Sequence, residues 1–596
     1  MQKILTIPKE IDQNMKVLYT GNHYISLPEI NVQDAATKSL NIISTTNKGL
    51  VELKGEKHLF QPHFFRNGEK LSIKHVSAKM ESFMFPAFHF EFTDNTWINV
   101  FIYPDLKEKG FIYEFSSSER TDIEFIFQPD ILSFLRFNSH EIEFTKQLKI
   151  DKWLGNPVLD IRANQVSFSM AFGASTEFTF ETNYKEHLSL SLTCSNEAAI
   201  YVSLNSDPDG ASTNLIHLKR KEYHNIKSEF VQWINDKKVS FEKDAYIEDR
   251  LNQNLFFNYF FAIGKDLDQD KFIAMTSRSP RYYVSGAFWE RDSFLWSFPA
   301  LKIVDYHFYK KVAKEHIIRH SKNAGDHAHY IDGTVLYPGF ELDEAASYFI
   351  LLNDFDAEEI DPEFLNAIEE VLHRIEMERD SKTGLYRTFL MPSDDPSEYP
   401  FVTINQAILL KGFLNLSELY LKLNRPEKVV WLEGRRKAIQ LGIENHLVKE
   451  VNGKKMYVWS ADGEGNYLLY NDPPGNIGLL PFYGLNSEGD SCFTNTIDYY
   501  YSSQYHYYDR NAEIKELACD HHPQTPSGLG LCGSILNPLM KEQAIDWLRK
   551  AEMDFGLLAE SFDKNTGEAK TGVGFATGCG YLAYALYEVL VKDEAK

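Results

Sequence analysis

Residues 361–380 read DPEFLNAIEEVLHRIEMERD. Asp361 stands where a helix N-cap belongs, and Pro362 suits the first turn. Phe364, Ile368, Val371, Leu372 and Ile375 then fall on one stripe at helical spacing. The stretch predicts an amphipathic helix, and from about Ile247 to the end similar patterns recur between loops rich in Gly, Asp, Asn and Tyr. Two of the helical stretches lead into related phrases, DSKTGLYR at 380–387 and DKNTGEAK at 563–570. Their shared D-x-x-T-G is a faint internal repeat, of the kind a ring of repeated helical hairpins would leave.

Working back toward the amino terminus, the period changes to two. FHFEFTDNTWINVFIY at 88–103, QVSFSMAF, TEFTFET and LSLSLTC alternate apolar and polar residues, with turn clusters such as NSDPDGAS at 205–212 between them. Short alternating runs of this kind predict an antiparallel sandwich. KRKEYHNIKSEFVQWIND at 219–236 reads as a linker helix. The fold class expected is therefore multidomain β + α: an N-terminal antiparallel β-sandwich over 1–218, a linker helix over 219–246, and over 247–596 an (α/α)6 toroid carrying the chemistry.

Composition narrows the partners. The 596 residues give ample material for two cores, and 62 Lys+Arg against 85 Asp+Glu leave a formal charge of −23. Such a chain repels phosphate backbones and anionic membrane surfaces, so neither nucleic acid nor membrane is expected as a partner. The five cysteines are dispersed and form no C-x-x-C pair. They suggest neither a disulfide framework nor a zinc site, and they fit a reducing compartment. The start, MQKILTIPKEIDQN, lacks the apolar core of a signal peptide. A cytoplasmic protein is expected.

Four stretches carry candidate chemistry. GAFWERDSFLWSFPAL (286–301) offers Trp289, whose face could stack on a pyranose, with Arg291 and Asp292 to grip hydroxyls; a core Trp and a helix-start ion pair are the plainer readings. YPGFELDEAASYFILL (337–352) sets Glu341, Asp343 and Glu344 at a helix mouth, where acidic groups also complement the macrodipole. Glu341 and Asp343 lie on either side of its buried stripe, and only one of them need face a central pit. SADGEGNYLLYNDPPGNIGLLPFYGL (460–485) contains Asp462, Asn466, Asn471, Asp472 and Asn476 in two turn-rich clusters, a hairpin or a binding loop. In LLAESFDKNTGEAKTGVGFATGCGYLAYAL (557–586), Glu560 closes an apolar run before a glycine-rich return.

Two carboxylates from distant parts of one chain, set among aromatics, are what glycoside hydrolysis requires: one protonates the leaving oxygen and the other activates water or attacks carbon. No H-E-x-x-H, G-x-x-x-x-G-K-[ST] or G-x-S-x-G occurs, and His521 and His522, as sequence neighbours, would point apart on a regular element. Neither metal nor cofactor is expected.

The second half resembles the six-hairpin (α/α)6-toroid glycosidases, and within them it is most similar to the metal-independent, inverting exo-α-mannosidases. The likeness rests on WERDS (289–293), ELD (341–343), DGEGN (462–466), NDPPGNIGLLPFYG (471–484) and AESF (559–562), in the family's order across roughly 250–590. It implies Asp343 as general acid and Glu560 as general base, with Trp289, Arg291, Asp292, Glu341, Asp472 and Asn476 binding substrate. It also implies an α-linked oligosaccharide as partner; the oligomeric state is left open. ELD is followed by Glu344-Ala345 where the resemblance leads one to expect a small hydroxyl residue. The N-terminal β region is extra to the mannosidase pattern and resembles domains that precede the toroid in glucoamylase-like, debranching-type and phosphorylase relatives. An α-glucosidase, a sugar phosphorylase and an inactive glycan-binding protein are the alternatives on this scaffold.

Overall fold

The computed structural model describes residues 5–6, 17–183, 185–485 and 489–592, so most of the stretch read above for a leader lies outside the described residues. The chain forms two compact units. One comprises residues 1–245, 259–273 and 277–286, and the other 246–258, 274–276 and 287–596.

The first unit is built of antiparallel strands in two layers. A nine-stranded sheet runs Leu5–Thr6, Ile73–Glu81, Phe85–Phe92, Trp97–Pro104, Gly110–Ser117, Glu197–Asn205, Ser167–Ala174, Pro157–Arg162 and Thr145–Ile150. The facing layer consists of a five-stranded and a six-stranded sheet. The alternation read in the sequence works as expected: along Thr121–Phe127, Ile123, Phe125 and Phe127 are buried while Asp122 and Glu124 turn outward. Across the layers Phe60 meets Phe111 at 5.3 Å and Phe64 meets Phe90 at 5.4 Å between ring centroids, so aromatic pairs make much of this core.

NSDPDGAS, expected as a turn between strands, instead starts a helix. The Asp207 side chain accepts from the Gly210 amide at 2.9 Å, Pro208 takes the first turn, and Pro208–Lys221 follows. An Asp-Pro pair serves a turn and a helix start equally well, and here the helix prevails. Glu222, at φ 64°, breaks this helix from the next, Tyr223–Lys237.

The second unit is helical. Its inner elements pack in a closed ring: Asp292–Ser297 continuing into Phe298–Val304, then Leu342–Ile350, Thr403–Lys422, the short turn Ile477–Leu479, Gly528–Leu536 and Ala576–Leu586, which returns to the first. Behind them stand Tyr306–His320, Pro362–Met377, Pro426–Gly442 and Lys541–Lys550. Residues 246–258 reach the loop after Lys541–Lys550: Asn254 Nδ2 donates to the Gly556 carbonyl at 2.8 Å and Arg250 Nη1 to that of Glu552 at 3.2 Å. The helix predicted from residue 361 is present as Pro362–Met377, capped by Asp361 onto the Phe364 amide, with all five stripe residues buried.

The two D-x-x-T-G phrases form the same turn. Asp380 accepts from the amides of Lys382 and Thr383, and Asp563 from those of Asn565 and Thr566. Gly384 and Gly567 follow at φ 78° and 74°. Among the described residues no helix is long and apolar enough to cross a membrane.

Candidate active site

Arg291 organises the site. It precedes a π-helical turn, Asp292–Ser297, whose wider winding is a frequent mark of functional positions. Its side chain is almost wholly buried and all of its donors are engaged. Nε donates to Asp343 Oδ2 at 3.0 Å, and Nη2 to Glu341 Oε2 at 2.6 Å and Glu344 Oε1 at 2.9 Å. Nη1 donates to the Pro392 carbonyl at 2.5 Å, and both terminal nitrogens lie 3.1 Å from Asp394 Oδ1. The Arg291 amide donates to Glu344 Oε2 at 2.6 Å.

Glu341, Asp343 and Glu344 therefore all face one guanidinium, where the sequence required only one of the first two to turn inward. The helix geometry explains this. Glu341 occupies the N-cap of Leu342–Ile350 yet makes no capping hydrogen bond; its carboxylate reaches across to Arg291 and to His327 Nδ1 at 2.8 Å. Macrodipole attraction places acids in that first turn, and Arg291 then fixes where each one points.

One guanidinium cannot neutralise four carboxylates, and burial raises the cost of each negative charge. Burial pushes Glu341 up to about 8, against the pull of Arg291, and raises Glu344 well above the carboxylate range. It also raises Asp343, whose Oδ1 accepts from Asn405 Nδ2 at 3.1 Å. Burial thus favours the protonated forms of Glu341 and Glu344 near neutral pH. Arg291 itself stays charged: burial works against it, but Asp343, Glu344 and Glu341 outweigh that.

Asp292, next in sequence, does not pair with Arg291. It accepts from Thr577 Oγ1 at 2.8 Å, and burial pushes it up to about 7. Trp289 is 4 % exposed and stands edge-on to His327 at 6.0 Å. Asp472 is fully buried, and neither carboxyl oxygen has a hydrogen-bond partner; burial pushes it up to about 7 against the positive charges of Arg291 and His521. Asn476 caps the turn Ile477–Leu479 by accepting from the Gly478 amide at 2.7 Å, and its amide nitrogen lies 3.5 Å from the Gly530 carbonyl. Asp462 stays on an exposed turn, accepting from the amides of residues 464, 465 and 466.

Glu560 is held by its backbone, with its carbonyl accepting from Gly528 at 2.8 Å and its amide donating to Gly572 at 3.3 Å. Gly572, at φ 64°, lies against it: a Cβ there would sit 2.3 Å from Glu560 Cβ and 2.8 Å from Oε2.

Asp394 and Asp395 escaped the sequence reading, and His521 and His522 entered it only as neighbours that would point apart. Asp394, in the PSDDPSEYP loop, meets Arg291 with 38 % of its side chain exposed and a backbone at φ 71°. Its neighbour Asp395 pairs with His521 Nε2 at 2.6 Å, while His522 Nε2 stands 3.7 Å from Glu560 Oε1. The adjacent histidines do point apart, each toward a different carboxylate. Two consecutive acids in a Pro- and Ser-rich loop were the available signal for Asp394; nothing local marks His522.

His327, Glu341 and Asp394 each offer a ligand atom within 4.8 Å of the others. The same two carboxylates already bind Arg291, so the positive charge that a metal would bring is supplied by the chain.

Residues 365–582 match the profile of the metal-independent alpha-mannosidases (GH125). Among solved structures the chain resembles a Streptococcus pneumoniae metal-independent α-mannosidase in complex with α-1,6-mannobiose, at 17 % identity and TM-score 0.53, over 62 % of this chain and 99 % of that one. By the partial family match and by fold, the chain is similar to the six-hairpin glycosidases. A bacterial glucoamylase bound to acarbose aligns over 99 % of this chain and 97 % of its own length, at 10 % identity and TM-score 0.65. A human-microbiome protein assigned as a kojibiose phosphorylase aligns over 96 % and 86 %, at 11 % identity and TM-score 0.58. These wider alignments take in both units of the chain, whereas the mannosidase covers 62 %. No curated protein matches its sequence. The family match contains Asp394, Asp472, Asn476 and Glu560 but not Asp343 or Arg291.

Proposed function

We propose that the protein is an exo-acting glycoside hydrolase that cleaves α-linked oligosaccharides, α-mannosides foremost, with inversion at the anomeric carbon. The observation that carries this reading is that the adjacent histidines bring two loops' carboxyls to one place: Asp395, beside Asp394, pairs with His521, and Glu560 stands by His522. The two imidazole centroids are 6.2 Å apart. Inversion requires the acid and base carboxyls to stand roughly 6.5–9.5 Å apart to admit water, against roughly 5–5.5 Å in a retaining pair.

Glu560 is the general base in this reading. Two carboxyls compete for the role of acid. Asp343, the residue implied by resemblance, has its proton favoured by burial, but one oxygen is bound by Arg291 and the other by Asn405, and it has no exposed surface. Asp394 reaches the same guanidinium from the exposed side, where a glycosidic oxygen can meet it. We therefore assign proton donation to Asp394, with Asp343 fixing Arg291 behind it. The unpartnered, proton-holding carboxyl of Asp472 suits the hydroxyls of a terminal sugar, with Asn476, Asp292, Glu341 and Trp289 shaping the surroundings.

Residues 247–596 carry catalysis in this reading, 1–218 form an accompanying β domain, and 219–246 link them. The five cysteines are free thiols, which suits a reducing, cytoplasmic setting.

The test compares Asp394→Asn, Asp343→Asn and Glu560→Gln on aryl α-mannosides. Each catalytic amide substitution should cost about 10²–10⁴-fold in rate. An activated aryl leaving group should rescue only the acid variant, expected to be Asp394→Asn; rescue of Asp343→Asn instead would return the role to Asp343. A first-formed sugar with the substrate's anomeric configuration would overturn the inverting mechanism.

A further inference from the structure

We propose that His522 is the second holder of the attacking water, sharing it with Glu560; this rests on the hydrolase reading above. His522 Nε2 is buried without a hydrogen-bond partner and stands 3.7 Å from Glu560 Oε1. That gap is too long for a direct hydrogen bond, and it is the range in which one water can reach both groups. Both side chains keep some access to solvent, at 16 % and 15 % exposure.

The ring is also held in place. The His522 amide donates to the Cys519 carbonyl at 3.1 Å, and Pro523 restricts the backbone just before it. His521 is tied to Asp395 at 2.6 Å, which keeps the dipeptide in step with the loop that carries Asp394.

A water bound to a carboxylate alone is fixed through one hydrogen and can swing about that bond. A second hydrogen bond, to His522, stops the swing and leaves a lone pair directed at the anomeric carbon. In the reaction the water oxygen forms its bond to that carbon as the glycosidic C–O bond breaks. The electron pair leaves with the aglycone oxygen, which takes the proton of the acid, while the water's proton passes to Glu560. His522 neither gains nor loses a proton overall.

α-Glycosyl fluorides separate this role from the acid's, because fluoride departs with little need of protonation. On an α-mannosyl fluoride, His522→Ala should lower kcat by roughly 10²-fold, the usual cost of a misplaced reactant, with KM little changed. Asp394→Asn should lose far less on the same substrate. Combining His522→Ala with Glu560→Gln should slow the reaction hardly more than Glu560→Gln alone, because both act through one water. His522→Gln, whose amide can still hold water, should recover part of the rate. A His522→Ala enzyme that folds and turns over the fluoride like wild type overturns the proposal. If the wild-type protein hydrolyses no α-glycoside, the hydrolase reading fails, and a high-resolution crystal structure decides His522 separately. A water within hydrogen-bond distance of both Nε2 and Glu560, lost in His522→Ala, supports the pairing; its absence from the wild type overturns it.

Discussion

Arg291 donates through Nε to Asp343 at 3.0 Å, with both side chains at most 3 % exposed. Removing one partner of a buried ion pair strands the other, at a cost of about 3–5 kcal/mol. Arg291→Met strands not one acid but Glu341, Asp343 and Glu344 together, so urea denaturation should show a loss at the top of that range. Arg291→Lys should also be destabilised, since an ammonium cannot reproduce the planar set of donors. A midpoint unchanged in both variants would mean that the acids are neutral without the arginine.

The pH dependence of stability has a definite sign at this site. Asp292 and Asp472 are both pushed up to about 7 by burial, from 3.8. The folded chain therefore binds more protons than the unfolded chain between about pH 4 and 7. Stability from these groups is complete below about pH 4 and is lost as pH rises through about 7. Asp472→Asn cannot ionise, so its melting temperature should improve on wild type more at pH 8 than at pH 5. Each tenfold gain in proton affinity on folding is worth about 1.4 kcal/mol. An equal difference at both pH values would show that Asp472 does not titrate in this window.

Gly572→Ala would place a methyl group 2.3 Å from Glu560 Cβ, at a positive φ that L residues rarely adopt. Turnover should fall far more than the melting temperature, because the displaced group is the proposed base. Comparable losses from Gly574→Ala, at φ 73°, would instead indicate general strain in this return.

Chelation should leave turnover intact. His327, Glu341 and Asp394 could together hold a cation, but Arg291 already bonds both acids. Activity measured after EDTA treatment, with and without added Ca²⁺ or Zn²⁺, checks this; loss on chelation and recovery on addition would place a metal at that triad.

Trp289→Ala should cost about 3–5 kcal/mol, as for a core aromatic, because 4 % exposure leaves little face for a sugar. Calorimetry measures the loss. A stable variant with weakened binding of a mannoside would restore the stacking role.

What the sequence made legible was periodic. The stripe from Phe364 to Ile375 repeats over about three turns, and the alternation through Ile123, Phe125 and Phe127 repeats along a strand, so burial follows from spacing alone. The candidate site was legible only where an unusual residue stood in an unusual place, as with Arg291 and Glu560. The rest depended on approach across long separations. Arg291 and Asp394 lie 103 residues apart in sequence, and no local pattern announces that both will meet Glu341. Asp292 shows the opposite failure: adjacency to Arg291 suggested a pair, yet successive residues in a helical turn diverge, and its partner is Thr577, 285 residues away. NSDPDGAS misled because the same letters cap a helix and close a hairpin.

The position of residues 246–258 bears on how the protein is made. Arg250 and Asn254 bond to carbonyls at 551, 552 and 556, about 300 residues later in the chain. At roughly 5–20 residues per second of synthesis, this helix leaves the ribosome on the order of 15–60 s before its partners exist. Until then Arg250 and Asn254 lack the acceptors that hold them, and the segment stays open to chaperones. The ring can close only when translation is nearly complete, so a nascent chain arrested before residue 551 should be protease-sensitive at this helix, however well the earlier hairpins have formed.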